Sequence, residues 1–505
     1  MPHSYSLGSL NLVAPGALAV LLLGLAGCAV GPEFSAPATA SPKNWSSWHS
    51  GDPALAVTVT ADSVLPDRWW DVFQDPVLDG LQQRALAASP DLQTAALRFA
   101  QSRAVRQGQN AQKAPTLDLG AGATRQRLSE FGAGTRLIDA ISSGTTQQEL
   151  IQLLSEPFNL YQAGFDASWE LDLWGRVRRS VEAADADVAQ QAALFDQARL
   201  SLLSEVARNY FELLGVERRL ALTRREVAAL DDRLSLIEAR VNGGVTTRLD
   251  LLRQRSEVLG LRAQVSALLA QETSLLNQIA VLIGERPGAL QKTLEAAGDS
   301  EAIRLPDLAL GLPSEVAQRR PDIRASEAQL RSATARIGVA QAQLYPSVRL
   351  GAGFGLESFL ADEFTNWGSR TWSIGPSLSL PIFDGGRRKA EVQLRELQQQ
   401  EAAIAYQRTV LQAWREIDDA LTGYTAEQQQ WHQYEERVAA AGEGYELAQA
   451  QYEGGSIDFT SVLDTQRAYL QARIDLAASR ARLETRFVAI NKAVGVDATV
   501  AIMRK

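Results

Sequence analysis

The 505-residue chain contains one cysteine, Cys28, and three histidines, His3, His49 and His432. A single thiol excludes any disulfide within the chain. Histidine is the side chain that most often serves as acid, base and metal ligand near neutral pH, so constellations built on it have almost no material here. No His-Glu-x-x-His, Gly-x-Ser-x-Gly or phosphate-loop pattern occurs either. Neither sign of charge dominates: 50 Lys and Arg stand against 59 Asp and Glu, a net charge of −9, which lacks the basic balance of a nucleic-acid binder. These absences point away from an enzyme and from a resident metal or cofactor. Proline is also missing, from two long stretches considered below.

What the chain does contain is half of itself, written twice. Pro90, Asp91, Ala104, Ala111, Gln112, Pro115, Leu119, Gly120, Ala121 and Gly122 recur as Pro321, Asp322, Ala335, Ala342, Gln343, Pro346, Leu350, Gly351, Ala352 and Gly353, a constant offset of 231. Gly175, Arg176, Glu205, Gly243, Gly244 and Gly284 recur as Gly386, Arg387, Glu416, Gly454, Gly455 and Gly495, at an offset of 211. The first copy therefore carries 20 extra residues, 231 less 211, between Gly122 and Gly175. A repeat of this length is half a fold and not a solenoid unit, so every element is expected in pairs.

The apolar run 18–25 is too short to span a bilayer as a helix and suits the core of a signal peptide. It ends in Leu25-Ala26-Gly27-Cys28, small residues directly before the cysteine, which is the lipobox pattern of bacterial lipoproteins. Cys28 is thus expected to accept a covalent lipid, with no other cofactor. Residues 1–11 hold no Lys or Arg, a departure from that pattern, whereas Ala29 after the cysteine suits onward export to the outer membrane. Residues 1–27 then form the signal peptide and 28–66, rich in Pro, Ser, Ala and Thr, an extended tether.

Ser89-Pro90-Asp91 has the form of a helix start, with Ser as cap, Pro at the first position and an acid facing the positive helix end. Arg320-Pro321-Asp322 starts the matching helix. Each helix stops before a proline, Pro115 or Pro346, and there the period changes from 3.6 to 2. The alternation predicts strands at 116–124 and 161–171 in the first repeat and at 347–356 and 371–380 in the second. One side of each is apolar and the other polar or small. A transmembrane barrel strand and a half-buried soluble strand share that alternation.

Helix length separates the two readings. The stretches 175–242 and 386–453 lack proline and are rich in Ala, Leu, Glu, Gln and Arg. At about 1.5 Å per residue each would reach about 100 Å, more than any single globular domain needs. They read as coiled-coil-like staves of an elongated assembly. Each turns back at a Gly-Gly pair into a returning helix, 247–283 or 461–494. Four transmembrane strands cannot close a barrel, and an open edge in lipid leaves unpaired backbone groups at several kcal/mol each. The chain must therefore oligomerise. Two copies give about 8 strands, an interior filled by side chains, and three give about 12, wide enough for a passage. Glycines on the polar face fit the wider choice.

Five motifs carry a family resemblance: Cys28-Ala29-Val30-Gly31-Pro32; Trp69-Trp70 with Phe73 and Asp75-Pro76-Val77-Leu78; Arg319-Arg320-Pro321-Asp322-Ile323-Arg324; Ile337-Gly338-Val339-Ala340 with Tyr345-Pro346; and Phe383-Asp384-Gly385-Gly386-Arg387. Together they resemble the TolC-type outer-membrane efflux proteins, in the NodT-like lipoprotein branch. The resemblance implies a mainly α chain with a β-barrel: a homotrimer with a barrel of about 12 strands in outer-membrane lipid and an α-helical periplasmic tunnel. On this division the repeats are 67–284 and 320–495, an equatorial linker spans 285–319, and 496–505 is a tail. The tunnel end is implied to dock a periplasmic adaptor, a membrane fusion protein, and an inner-membrane RND-type pump, which together expel drugs or other small molecules. Two other readings stay open beside it, a trimeric structural or adhesive stalk without a pore and a conduit for protein export.

The resemblance also places a closing aperture just past the Gly-Gly turns. Tyr452, Gly455, Asp464 and Arg467 match the family's second turn, and Gly244 and Asp250 its first. Ser461 stands where some members have a second aspartate, and Ile457 where some have a linking arginine. The expected gate is Asp250 and Asp464, with Arg467 as partner of Asp464 and Thr460 adjacent. No metal site is expected beyond cation binding at a threefold Asp464 ring. Gly244, Val245, Arg248, Leu249, Gly455 and Ser456 are the expected adaptor rim. A plainer reading of the acids also stays open. Thr247-Arg248-Leu249-Asp250 and Ser461-Val462-Leu463-Asp464 both look like Thr/Ser-x-x-acid helix starts, where an acid is stabilised by roughly 0.3–1 kcal/mol. At the other end of each repeat, 125–159 and 357–370 are expected as extracellular loops. In the longer one Leu137, Ile138, Ile141, Leu150, Ile151 and Leu154 suggest a short helical plug.

Overall fold

The computed structural model describes residues 29–37, 51–55, 68–132, 144–291 and 319–495. Its helices are α1 (Pro76–Ala88), α2 (Pro90–Ala111), α3 (Thr145–Ser155), α4 (Arg176–Asn242), α5 (Arg248–Leu282), α6 (Pro321–Ala342), α7 (Arg387–Glu453) and α8 (Phe459–Val494). Its strands are β1 (Thr116–Gln126), β2 (Phe158–Leu171), β3 (Ser347–Ser358) and β4 (Arg370–Ser379). The repeat is visible element by element, as α2 with α6, β1 with β3, β2 with β4, α4 with α7 and α5 with α8. Both long helices have 67 residues. The expected signal peptide, Cys28, most of the linker and the tail lie outside the described residues, as do Leu137, Ile138 and Ile141.

Two compact units divide the chain. One gathers the described residues within 1–35, 103–187 and 331–401 around the strands. They form one antiparallel sheet in the order β1-β2-β3-β4. The register keeps the two faces separate on all four strands. Leu119, Phe165, Phe354 and Trp372 lie in one row, and Gly120, Gly164, Gly355 and Thr371 in the next. Because the side-chain period is 2, a slip of one residue at any of the three ladders would mix these faces, and none does. The apolar face is bare: Leu117 and Leu119 are both 69% exposed, and Trp372, Ile374 and Leu378 are exposed beside them. A half-buried soluble sheet would cover that face; a barrel strand turns it to lipid. On the polar face Asp118 pairs directly with Asp166.

The other unit gathers the described residues within 36–102, 188–330 and 402–505. Its core is built where the helical hairpins meet α1. Trp69, Trp70 and Phe73 are buried there, with the Phe73 ring 4.6 Å from Phe211 of α4 and 5.3 Å from Phe487 of α8. Asp75 begins α1 by accepting the Val77 and Leu78 amides at 2.8 and 3.1 Å. Its second oxygen accepts the Tyr210 hydroxyl at 2.7 Å, which joins the cap to α4. Fully burying side chains of this size stabilises by about 1.5–3 kcal/mol each, so the Trp-Trp-x-x-Phe segment is an anchor and not a linker.

Candidate channel site

The two long helices end alike. Gly244 (φ 74°) and Gly455 (φ 75°) are left-handed, and the amides of Val245 and Ser456 reach back to the carbonyls of Arg240 and Gln451 at 2.9 Å. This pairing satisfies carbonyls that the helix leaves open and favours glycine because only it takes that φ without strain. A Cβ at either position would meet open space, so replacement there is penalised by the backbone alone. Beside Gly244, Val245 is 76% and Leu249 55% exposed. Arg248 and Ser456 are exposed as well, the Ser456 hydroxyl donating to the Gln451 carbonyl at 2.9 Å.

The returning helices begin differently. At α5 the Thr247 hydroxyl oxygen accepts the Asp250 amide at 3.3 Å, while the Asp250 carboxylate accepts the hydroxyls of Thr247 at 2.7 Å and Thr246 at 3.1 Å. Asp250 is therefore held in its own helix start, as the Thr-x-x-Asp spacing predicts. The expected second cap, Ser461 with Asp464, is corrected. Helix α8 starts earlier, at Phe459, and its cap is Asp458, which accepts the Ser461 amide at 2.9 Å and hydroxyl at 3.0 Å. Those bonds hold the Asp458 carboxyl below its usual range. The Phe459 ring at this helix start lies 5.6 Å from that of Tyr452 at the end of α7. Asp464 is left in the second turn, exposed and outside the cap.

Arg467 lies 3.8 Å from Asp464, but Glu257 of α5 holds it closer, at 2.5 Å to Nη2 and 2.8 Å to Nε. That bond raises the Arg467 pKa further. A second arginine crosses the other way: Arg253 of α5 donates to the Thr460 hydroxyl oxygen at 2.8 Å and lies 3.8 Å from Asp250. Two links thus tie α5 to α8. Sequence reasoning missed Arg253, Glu257 and Asp458. The spacing Asp250, Arg253, Glu257 on α5 and Thr460, Asp464, Arg467 on α8 puts each trio on one helix face and was the available signal.

Near the expected lipid site, the residues after Cys28 are held by the sheet-bearing unit. The Val30 amide donates to the Trp174 carbonyl at 3.1 Å. The Arg179 side chain, only 4% exposed, pairs with Glu33 and Glu182 at 2.7 Å each. It also donates to the carbonyls of Val30 and Gly31 at 3.3 and 3.4 Å. Gly31 lies so close to Gly338 that a Cβ on it would stand 2.5 Å from the Gly338 Cα. The repeat equivalents of Arg179 and Gly338 are Ala390 and Gln107, so among the described residues the second repeat cannot form the same clasp.

A two-faced sheet with open edges and a bare apolar face, carried with two helical hairpins, defines a subunit of an outer-membrane channel. Residues 81–285 and 312–496 match the family described as Outer membrane efflux protein, and the chain belongs to that family. It is 33% identical to the Pyoverdine export outer membrane protein OpmQ of Pseudomonas putida, over 87% of this chain and 90% of that one. It is 28% identical to Nodulation protein T of Rhizobium leguminosarum bv. viciae, over 95% and 92%. Among solved structures it is similar to the outer-membrane channel OprN, with a TM-score of 0.81 and 29% identity, covering 93% of this chain and 100% of that one. The chain is therefore an outer-membrane efflux channel with a β-barrel and a periplasmic helical tunnel. The family is a conduit and not an enzyme class.

Proposed function

We propose that three copies of the chain form a passive conduit through which an inner-membrane pump of the RND type, joined by a periplasmic adaptor, expels drugs or other small molecules. The observation that supports this reading most is the polar, glycine-rich face of a sheet whose apolar face is bare and whose edges are open. Three such sheets close a barrel of about 12 strands, which has room for a passage. Cys28 carries the lipid, and the clasp around Arg179 holds the following residues. Val245 and Leu249, with Gly244, Arg248, Gly455 and Ser456, form the rim that meets the adaptor.

The gate divides its work between two kinds of residue. Arg253–Thr460 and Arg467–Glu257 hold α5 against α8 and so keep the aperture at its resting width. Asp464, exposed and not used in capping, supplies a threefold carboxylate ring that attracts cations. Asp250 contributes less, being engaged by two hydroxyls. Planar-bilayer recording tests the reading. The purified protein should give discrete conductance steps that divalent cations block. A stalk without a pore would stay trimeric and give none.

A further inference from the structure

The apolar face of the sheet is not uniform from end to end. In the rows that make up this face on β1 to β4, every residue is uncharged except two, and both are arginines. Arg370 stands beside Leu356 in the row above Trp372, and Arg125 stands beside Asn159 two rows higher. The polar face, by contrast, carries Asp118, Asp166, Glu170, Arg349 and Glu357 at several heights. Both outward arginines lie at the end of the sheet that holds the β1–β2 and β3–β4 connections, away from the starts of α4 and α7. Those helices belong to the periplasmic tunnel, so the arginine end is extracellular.

Their height is set by strand geometry. From Leu380, the first residue past β4, to Arg370 is ten residues. An antiparallel strand covers about 34 Å over that length, and about 25 Å of height when tilted by about 40°. This equals the apolar band of a membrane barrel, so Arg370 lies where lipid tails give way to headgroups. The Arg370 guanidinium sits 4.3 Å over the Trp367 ring and donates to the Trp367 carbonyl at 2.7 Å. Trp367 is itself 73% exposed. The acids closest along the chain are already engaged, Glu130 by Arg127 at 2.7 Å and Glu363 by the Asn366 amide. Neither Arg125 nor Arg370 has an acid partner among the described residues.

We propose that Arg370 and Arg125, with Trp367, form a binding site for the phosphate-bearing glycolipid of the outer leaflet. The outward leaflet of such a membrane is built of a glycolipid with phosphates on its sugar headgroup, and that anion is the charge this rim lacks. Arg370, stacked on Trp367, presents a planar fork that suits two phosphate oxygens. Trp367 lies at headgroup level, where an amphipathic ring packs against the lipid sugar. Arg125, higher on the same face, adds a second cation over the headgroup. The site rests on the lipid-facing side of the barrel and not on the conduit reading, so it stands whether or not the passage conducts.

Native mass spectrometry of the purified full-length protein, titrated with bisphosphorylated lipid A in detergent, tests the site. The unaltered protein should retain the lipid, and Arg125→Gln with Arg370→Gln should bind it at least roughly tenfold more weakly. Arg349→Gln, which removes an arginine from the polar face, should bind as the unaltered protein does. Lipid A stripped of its phosphates should bind the unaltered protein as weakly as the intact lipid binds the double variant, an arm that needs no variant to fold. Equal retention of intact lipid A by the double variant, or of the stripped lipid by the unaltered protein, would overturn the site. Equal retention of phosphatidylglycerol would show attraction to any anionic lipid and overturn the assignment to the glycolipid.

Discussion

Two carboxylates that look alike in sequence do different things here. Asp250 accepts two hydroxyls at 2.7 and 3.1 Å, whereas Asp464 is paired with Arg467 at 3.8 Å, and Arg467 is held more closely by Glu257. Asp464→Ala should therefore weaken block by divalent cations in bilayer recordings while leaving the α5–α8 link intact. Glu257→Ala should raise resting conductance and leave cation block in place. Identical effects of the two variants would mean that ring and link are one device. Elsewhere, burial pushes the Glu217 carboxyl up to about 7, with Glu272 adding to the shift and Arg218 opposing it. An acid whose folded pKa is raised keeps its proton in the folded chain while the unfolded chain loses it. Folding stability therefore falls as pH rises from the ordinary glutamate value toward 7. The melting temperature should drop between about pH 5 and about pH 8 by more in the unaltered protein than in Glu217→Gln. Equal drops would remove Glu217 from the pH dependence.

At the scale of elements, much was legible because the local code is strong. The change from period 3.6 to period 2 after Pro115 and Pro346, the Gly-Gly ends of the long helices and the Thr-x-x-Asp start of α5 all act over a few residues. What the sequence hid is non-local or nearly degenerate. Asp458 and Ser461 are both good caps, and the sequence does not say which of them begins the helix; in the structure Asp458 does, with Phe459 beside Tyr452. Arg467 shows Asp464 at one-turn spacing, but its nearer partner Glu257 lies 210 positions away. Replacing Thr247 with Ala should cost about 1 kcal/mol of stability, the usual value of a lost helix cap. Ser461→Ala should cost less, because its amide bond to Asp458 survives and only the hydroxyl bond is lost. Chemical denaturation of the two variants measures the difference, and a larger loss for Ser461→Ala would restore it as the principal cap. The Arg179 clasp is an element of another kind. Arg179→Ala should expose residues 29–37 to protease without dissolving the oligomer, and undiminished protection would place the hold elsewhere.

For the whole assembly, the adaptor contact proposed above is poorly probed at the turn glycines. Gly244 and Gly455 have φ values of 74° and 75°, so any substitution strains the helix end whether or not a partner docks there. Val245 and Leu249 avoid that ambiguity. Both are exposed apolar side chains beside Gly244, Leu249 in the first turn of α5, and neither belongs to the buried core. An apolar rim that docks a partner loses affinity when charged, because a carboxylate must then be stripped of water without a compensating bond. Val245→Asp with Leu249→Asp should therefore keep trimer mass and single-channel conductance unchanged in purified protein. In cells that supply the cognate pump and adaptor, the same variant should lose export, read as accumulation of a fluorescent pump substrate. Loss of conductance as well would mean that these residues shape the aperture. Normal export would move the docking surface away from the turns.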